Sequence, residues 1–359
     1  MKFNITAMKI IKKILKAILA VILLLLLVFA GIIVYAIISD FKPPEKTIVF
    51  NSDKPDILND SLEVSLMTWN IGYCGLDRDM DFFYDGGTKV MTPRKNCLEN
   101  LEAVKKFLGG NDSIDFILLQ EVDRNSKRSY HFNEFDTLTK MLEDYHPFFA
   151  INYKVFFVPV PPASPMGKVL SGIAMFSRYQ PSSSVRNAFP GEYGFPKQLF
   201  MLDRCFMVNR YPLKNGKELL VINTHNEAFD PGDIRKAQMA YLKEFLLSEY
   251  AKGNYIIAGG DWNQSPPEFN PRFSVNPVNN DQMMMTSDYL PPEWKWVYDN
   301  TNPSNRSVIA AYDPATTTTT VIDIFLLSPN VKGISVNCIN LNFKNSDHNP
   351  VRLKAMLAE

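Results

Sequence analysis

Short apolar runs that stop at an acid, an amide or an imidazole constrain this chain most. The clearest is Ile256-Ile257-Ala258-Gly259-Gly260-Asp261-Trp262-Asn263. A run this short and apolar, ending at glycine, reads as a buried strand. The glycines let the backbone turn or let another group come close. Strand alternation would point Asp261 and Asn263 the same way. The pattern recurs along the chain. Residues 62–70 alternate apolar and polar and deliver Asn70. Residues 115–121 end in Glu121, and residues 218–223 lead into Thr224-His225-Asn226. Residues 321–327 carry Asp323 inside an apolar run, where an unpaired carboxylate is costly. Asn345-Ser346-Asp347-His348-Asn349-Pro350-Val351 precedes a last strand. Residues 172–177 read as a further strand. Taken singly, Gly-Asp and exit Asn are mostly turns, and Glu121 reads equally well as a surface residue. So many strand exits with oxygen or imidazole groups point instead to one shared site. Of the four histidines, His225 and His348 lie at strand ends, whereas His131 and His146 lie in polar stretches and read as surface.

Two segments switch to helical spacing. From 92 to 108, Thr92 can cap, Pro93 suits the first helical position, and Leu98, Leu101, Val104 and Leu108 share a face. From 232 to 250, Ala237, Ala240, Tyr241 and Phe245 recur at helical spacing. The chain opens differently. Residues 17–39 carry no charge and are almost wholly apolar. About 22 helical residues span roughly 33 Å, enough to cross a hydrocarbon core of about 30 Å. Lys2, Lys9, Lys12, Lys13 and Lys16 precede the run and Asp40 follows. That bias predicts a cytoplasmic tip and transmembrane anchor over 1–39, with the remainder extracytoplasmic. A cleaved signal peptide is the competing reading, but its apolar core is usually shorter. Residues 40–61, with Pro43, Pro44 and Pro55, read as a linker, leaving 62–359 as one folded domain.

The whole chain is neutral, with 38 basic and 38 acidic residues. The first 39 residues hold five lysines and no acid, which leaves the rest with 33 basic against 38 acidic residues. Nonspecific nucleic-acid binders usually carry a basic balance, and this chain does not. Cys74, Cys97, Cys205 and Cys338 lack metal-site spacing and read as buried thiols, with disulfide pairing left open.

The chemistry that fits the strand-end groups is phosphoester cleavage. A divalent ion on Glu121 would neutralise a phosphate and polarise its bonds. Imidazole titrates near neutral pH, and a carboxylate beside it fixes its tautomer. Thr68-Trp69-Asn70, Leu119-Gln120-Glu121-Val122, Ser171-Gly172-Ile173-Ala174, Asn223-Thr224-His225, Gly260-Asp261-Trp262-Asn263, Ile322-Asp323 and Ser346-Asp347-His348-Asn349-Pro350-Val351 follow one another over about residues 64–353. In these pieces and their order the chain resembles the endonuclease/exonuclease/phosphatase superfamily, which includes deoxyribonucleases, phosphatases and sphingomyelinases. The resemblance implies a four-layer α/β sandwich of two mainly antiparallel sheets with outer helices. It implies Glu121 as the main ligand of Mg²⁺ (or Mn²⁺), with Asn70 nearby. Asp261 and Asn263 would position water and the scissile phosphate. His348, paired with Asp347 or another acid, would act as general base or phosphate contact. His225 would serve the other proton transfer, and Asp323 would support a histidine or the phosphate. Asn226 departs from the family, where many members have Leu, and a local change in packing is expected there.

The motifs leave the substrate open. Residues 153–169 are apolar and Pro-rich, readable as a packed loop or as a lip touching a membrane. Residues 123–130 form a basic loop that could hold a second phosphate. Residues 264–298 read as an elaborated loop, and Thr316–Thr320 as the start of the Asp323 strand. The expected function is a membrane-anchored, metal-dependent phosphoesterase acting on a lipid head group or other small phosphoester, held to the membrane by its first helix and with no obligate protein partner. An extracytoplasmic nuclease and a non-catalytic binding domain on the same scaffold are the alternatives.

Overall fold

In the computed structural model the described residues are 2–358, apart from Asp112, Pro231 and 274–283. Met283, part of the expected 264–298 loop, lies outside them. The chain opens with helix α1 (Lys2–Ser39). Its span Ala7–Ser39 has a mean hydropathy of 3.4 and is long and apolar enough to cross a membrane. From Ile18 to Val28 every leucine, isoleucine and valine of this helix stands exposed. A helix apolar on every face has no polar side to offer water.

Fifteen strands and three further helices follow. In order they are β1 (Lys46–Asn51), β2 (Glu63–Asn70), α2 (Arg94–Gly109), β3 (Phe116–Asp123), α3 (Glu134–Met141), β4 (His146–Val158), β5 (Gly167–Ser177), β6 (Ser183–Ala188), β7 (Cys205–Pro212) and β8 (Glu218–His225). Then come α4 (Asp233–Ala251), β9 (Tyr255–Asp261), β10 (Lys295–Val297), β11 (Asn305–Arg306), β12 (Thr319–Thr320), β13 (Asp323–Leu327), β14 (Val331–Cys338) and β15 (Val351–Leu357). One sheet runs β14-β15-β2-β3-β5-β4 and the other β1-β6-β7-β8-β9-β13-β10. Each sheet is antiparallel except for one parallel pair, β2 with β3 and β8 with β9. Parallel neighbours need a long crossover, and α2 and α4 supply the two.

The sequence alternation places three apolar layers. Leu66, Phe116, Leu118, Val221, Ile257, Phe325 and Leu353 meet between the sheets. Ile117 and Leu119, pointing the other way from β3, pack with Leu101, Val104 and Leu108 of α2 and Leu138 of α3. Leu220, Ile222, Ile256 and Ala258 do the same for the second sheet, beneath Leu242 and Leu246 of α4. Helix, sheet, sheet, helix is the four-layer order implied by the resemblance.

Several local expectations change. Residues 46–51, within the stretch read as a linker, form β1 and pair with β6 at the edge of the second sheet. Thr92 does not cap α2. Its hydroxyl donates to Asp77 at 2.7 Å, and Pro93 takes the cap position without a side-chain bond. Much of 153–169 is strand, because β4 and β5 pair as a long hairpin down to Val158 and Gly167. Thr319–Thr320 do not begin the Asp323 strand. They pair with β11 in a separate ribbon. The four cysteines are buried free thiols.

Candidate active site

The two parallel pairs bring four strand ends to one edge of the sandwich. Asn70 stands beside Gln120 at the ends of β2 and β3, and His225 beside Asp261 at the ends of β8 and β9. Asp323 opens β13 directly opposite Asp261. The β3–β5 register slips between Leu119 and Val122, and Glu121 sits in that bulge with φ 52°. Such a bulge re-aims one side chain out of the alternation, and Glu121 lines the pocket at this edge. Gly260 (φ 150°) lets β8 come close, since a β-carbon there would fall 2.0 Å from the Thr224 carbonyl oxygen. The last segment is tied down by the Trp69 indole, which donates to the His348 carbonyl at 3.0 Å, and by Ser346, whose hydroxyl donates to the Asn70 carbonyl at 2.8 Å.

All eight sequence-predicted residues arrive at this edge. The Asn70 amide bridges the sheets, donating to Glu121 at 3.2 Å and to Asp261 at 3.0 Å. Asp261 Oδ2 lies 3.6 Å from His225 Nε2 and 3.8 Å from His348 Nε2. The Asn263 backbone N–H donates to Asp261 at 2.9 Å, and its amide donates to the Asn226 carbonyl at 2.9 Å. Asn226, the departure from the family pattern, is buried. Its side chain accepts from Thr224 at 2.5 Å, and its carbonyl is the acceptor for the Asn263 amide. Asp323 Oδ2 binds His348 Nδ1 at 2.8 Å and accepts from Ser304 at 2.7 Å. Asp347 Oδ2 is 4.0 Å from His348 Nε2, so Asp323 and not Asp347 is the histidine's hydrogen-bonded acid.

The two histidines titrate in opposite directions. Burial by itself would lower His348, but Asp323, Asp347 and Asp261 outweigh it and push it up to about 10. Burial holds His225 well below the ordinary histidine value, helped by the positive charge of Arg204 and of His348. These shifts favour the charged form of His348 and the neutral form of His225 at neutral pH. Opposed shifts of this kind separate the proton donor from its neutral neighbour. Burial raises Asp261, with Asp323 adding and His348 opposing. Burial likewise raises Asp347, to about 6, with His348 opposing and Glu121 adding.

The oxygen donors fit a hard divalent cation. Glu121, Asp347 and Asp85 line one pocket of about 370 Å³. Among the described residues none of them forms an ion pair with Lys or Arg. Carboxylates gathered without a Lys or Arg ion pair suit Mg²⁺ or Mn²⁺. Asp261, Asp323 and His348 also come within 4.8 Å of one another. Their ligand atoms are engaged with each other, with Ser304 and with Asn70, except Asp323 Oδ1, which has no partner.

Sequence reasoning missed several pocket residues. Asn305, whose carboxamide stands 3.0 Å from His348 Nε2, comes from a polar stretch that reads as turns. Asn152, 3.5 Å from His225, lies mid-strand in β4. Arg204 and Arg306 line the pocket from segments with no motif. Arg128, in the expected basic loop, does reach the pocket. It forks onto Asp123 at 2.9 and 3.2 Å and lies over the Tyr73 ring at 3.7 Å.

A family model described as "Endonuclease/Exonuclease/phosphatase family" matches residues 67–348. No curated protein matches the chain. Among solved structures, the endonuclease/exonuclease/phosphatase from Beutenbergia cavernae aligns with TM-score 0.54 at 15% identity, covering 82% of this chain and 72% of that one. The corresponding protein of Bacteroides vulgatus gives 0.51 at 16%, covering 82% and 99%. ANGEL2, a 2',3'-cyclic phosphatase, solved with adenosine-2',3'-vanadate, gives 0.53 at 16%, covering 86% and 100%. At these identities the likeness is one of fold.

Proposed function

The chain belongs to the endonuclease/exonuclease/phosphatase family, and from that premise we propose that it is a membrane-anchored, divalent-metal-dependent phosphoesterase whose domain stands on the extracytoplasmic side. The observation that carries the reading is the division of labour between Glu121 and His348. The Asn70 amide ties Glu121, which has no Lys or Arg ion pair among the described residues, to Asp261, and His348 Nε2 lies 3.8 Å from that same Asp261. Glu121, with Asn70 and Asp347 beside it, would hold the ion, which supplies charge neutralisation and polarisation of the phosphoester.

The remaining steps belong to the chain's own side chains. Asp261, fixed by the Asn70 amide and the Asn263 N–H, orients a water and accepts its proton. His348, kept charged by Asp323, offers the Nε2 proton to a phosphoryl or leaving oxygen, so it serves as donor and phosphate contact more naturally than as base. His225, neutral and against Asp261, completes the proton path. Asn263 and Asn305 place amide groups at the pocket wall. A non-catalytic scaffold has no need of an imidazolium held this way, which disfavours that alternative.

The charge-free run 17–39 of α1 supports the anchor, and the absence of a basic excess favours a head group or small phosphoester over a long nucleic acid. The test is hydrolysis of phospholipids, inositol phosphates, RNA and plasmid DNA by the full chain in detergent, with Mg²⁺ and with EDTA. Metal-dependent turnover of a lipid or small phosphoester is expected, with Glu121→Ala slowing it by about a hundredfold or more. Undiminished turnover in EDTA or in Glu121→Ala would sink the metal assignment. Nicking of DNA with lipids and small phosphoesters untouched would make the protein a nuclease instead.

A further inference from the structure

The pocket holds a cation that this chemistry does not use. Arg204 immediately precedes β7, whose first residue, Cys205, pairs opposite His225. Its side chain is only 4% exposed and lines the catalytic pocket. Two of its nitrogens, Nε and Nη1, find no hydrogen-bond partner. The nearest carboxylate, Glu227, is 3.7 Å from Nε, beyond hydrogen-bond reach. The Tyr193 hydroxyl at 2.8 Å and the Phe229 N–H at 2.7 Å both donate to Glu227 Oε1, and its Oε2 faces Arg204 as a charge at longer range.

Leaving guanidinium donors buried and unmet is costly. The other pocket arginines are largely satisfied. Arg128 is forked onto Asp123, and Arg306 donates to the carbonyls of Asp77, Met80 and Ser307, with only its Nε unmet. Arg235 donates to the carbonyls of Glu227 and Ala228. Arg204 enters the pocket from the second sheet, just ahead of β7, whereas Glu121 belongs to the first. The Cys205–His225 pairing sets it beside the reacting centre.

We propose that Arg204 is an anion subsite for a second negatively charged group of the substrate, on the second-sheet side of the scissile phosphate. The word "second" rests on the phosphoesterase reading, but the anion site itself does not. The substrate class that satisfies it is a phosphoester carrying another phosphate, sulfate or carboxylate within one pocket length. A head group ending in a neutral or cationic group, such as choline, would leave both donors unmet.

Equilibrium dialysis of radiolabelled sulfate against the full chain in neutral detergent with EDTA reads the site without metal and without turnover. Saturable binding is expected in the wild type and in Glu121→Gln. In Arg204→Met it should weaken by about tenfold or more, as charge-assisted hydrogen bonds are lost. Arg204→Met leaves Glu227 short of its counter-charge. The double variant Arg204→Met/Glu227→Gln removes both charges together and must show the same loss, with circular dichroism confirming the fold. No saturable sulfate in the wild type, or binding kept in both Arg204 variants, overturns the subsite. Phosphatidylinositol 4-phosphate in phosphatidylcholine vesicles and soluble inositol 1,4-bisphosphate are then the competitors. Displacement by the vesicles assigns the anion to a lipid, displacement by the soluble compound assigns it to a free phosphoester, and displacement by neither overturns the substrate class. Failure of the phosphoesterase reading would appear separately, as absent hydrolysis with sulfate binding intact.

Discussion

His348 shows how far one side chain depends on its surroundings. A histidine after Ser-Asp is legible as a candidate, but its charge is not. Asp347 is its neighbour in sequence, and Asp323, 25 positions away, is its acid in space at 2.8 Å. The consequence for stability has a definite sign. A histidine raised in the folded state stabilises fully below the unfolded value of about 6.5 and loses that contribution as pH rises through the folded value. Here the loss runs up to about 10. The wild type should therefore lose Tm between neutral and alkaline pH. Asp323→Asn should start lower at pH 7 and lose less over the same range, because its imidazole is no longer held charged. Parallel slopes in scanning calorimetry would show that Asp323 does not hold the proton.

At the scale of elements, backbone geometry decides more than residue type. The bulge in β3 turns Glu121 into the pocket, and a regular strand would have left it on one of the two faces. Close contact between β8 and β9 sets His225 beside Asp261, and Gly260 permits it. A methyl there would meet the Thr224 carbonyl oxygen at 2.0 Å on a φ of 150°. Gly260→Ala is expected to lower stability by about 3 kcal/mol or more and to depress turnover further than the loss of folded protein explains. Denaturant midpoints together with activity per folded molecule would check it, and a midpoint unchanged from wild type would refute the close-approach argument. Sequence reading missed the edge strands β1 and β14, and also β6 and β7 inside the second sheet. β1 and β14 alternate weakly and leave most residues exposed or half-buried, so no apolar period marks them.

For the whole molecule, the question is where the first helix ends and the domain begins. Tyr35 of α1 packs on Phe156 of β4 with ring centroids 4.1 Å apart, and β1 follows only seven residues after Ser39. The segment between helix and sheet is therefore short. Deleting residues 1–39 should release a chain that keeps its fold and its metal-dependent turnover of a soluble phosphoester. Deleting residues 1–51 should in addition strip β1 from the edge at β6 and lower Tm by several degrees. Equal Tm for the two truncations would show that β1 contributes nothing to the domain.

What the sequence determined alone is what rests on local pattern. The charge-free run 17–39, the strands that stop at polar groups, the two crossover helices and the eight polar groups themselves are legible, because apolar period and abrupt polar stops are properties of neighbours in the chain. Only the tertiary structure decided which of those groups meet. The Asn70 bridge between the sheets, the Asp323–His348 pair, the opposed charge states of His225 and His348, and the unmet donors of Arg204 join residues far apart in sequence. Burial and through-space charge set their chemistry, and neither is a function of sequence spacing.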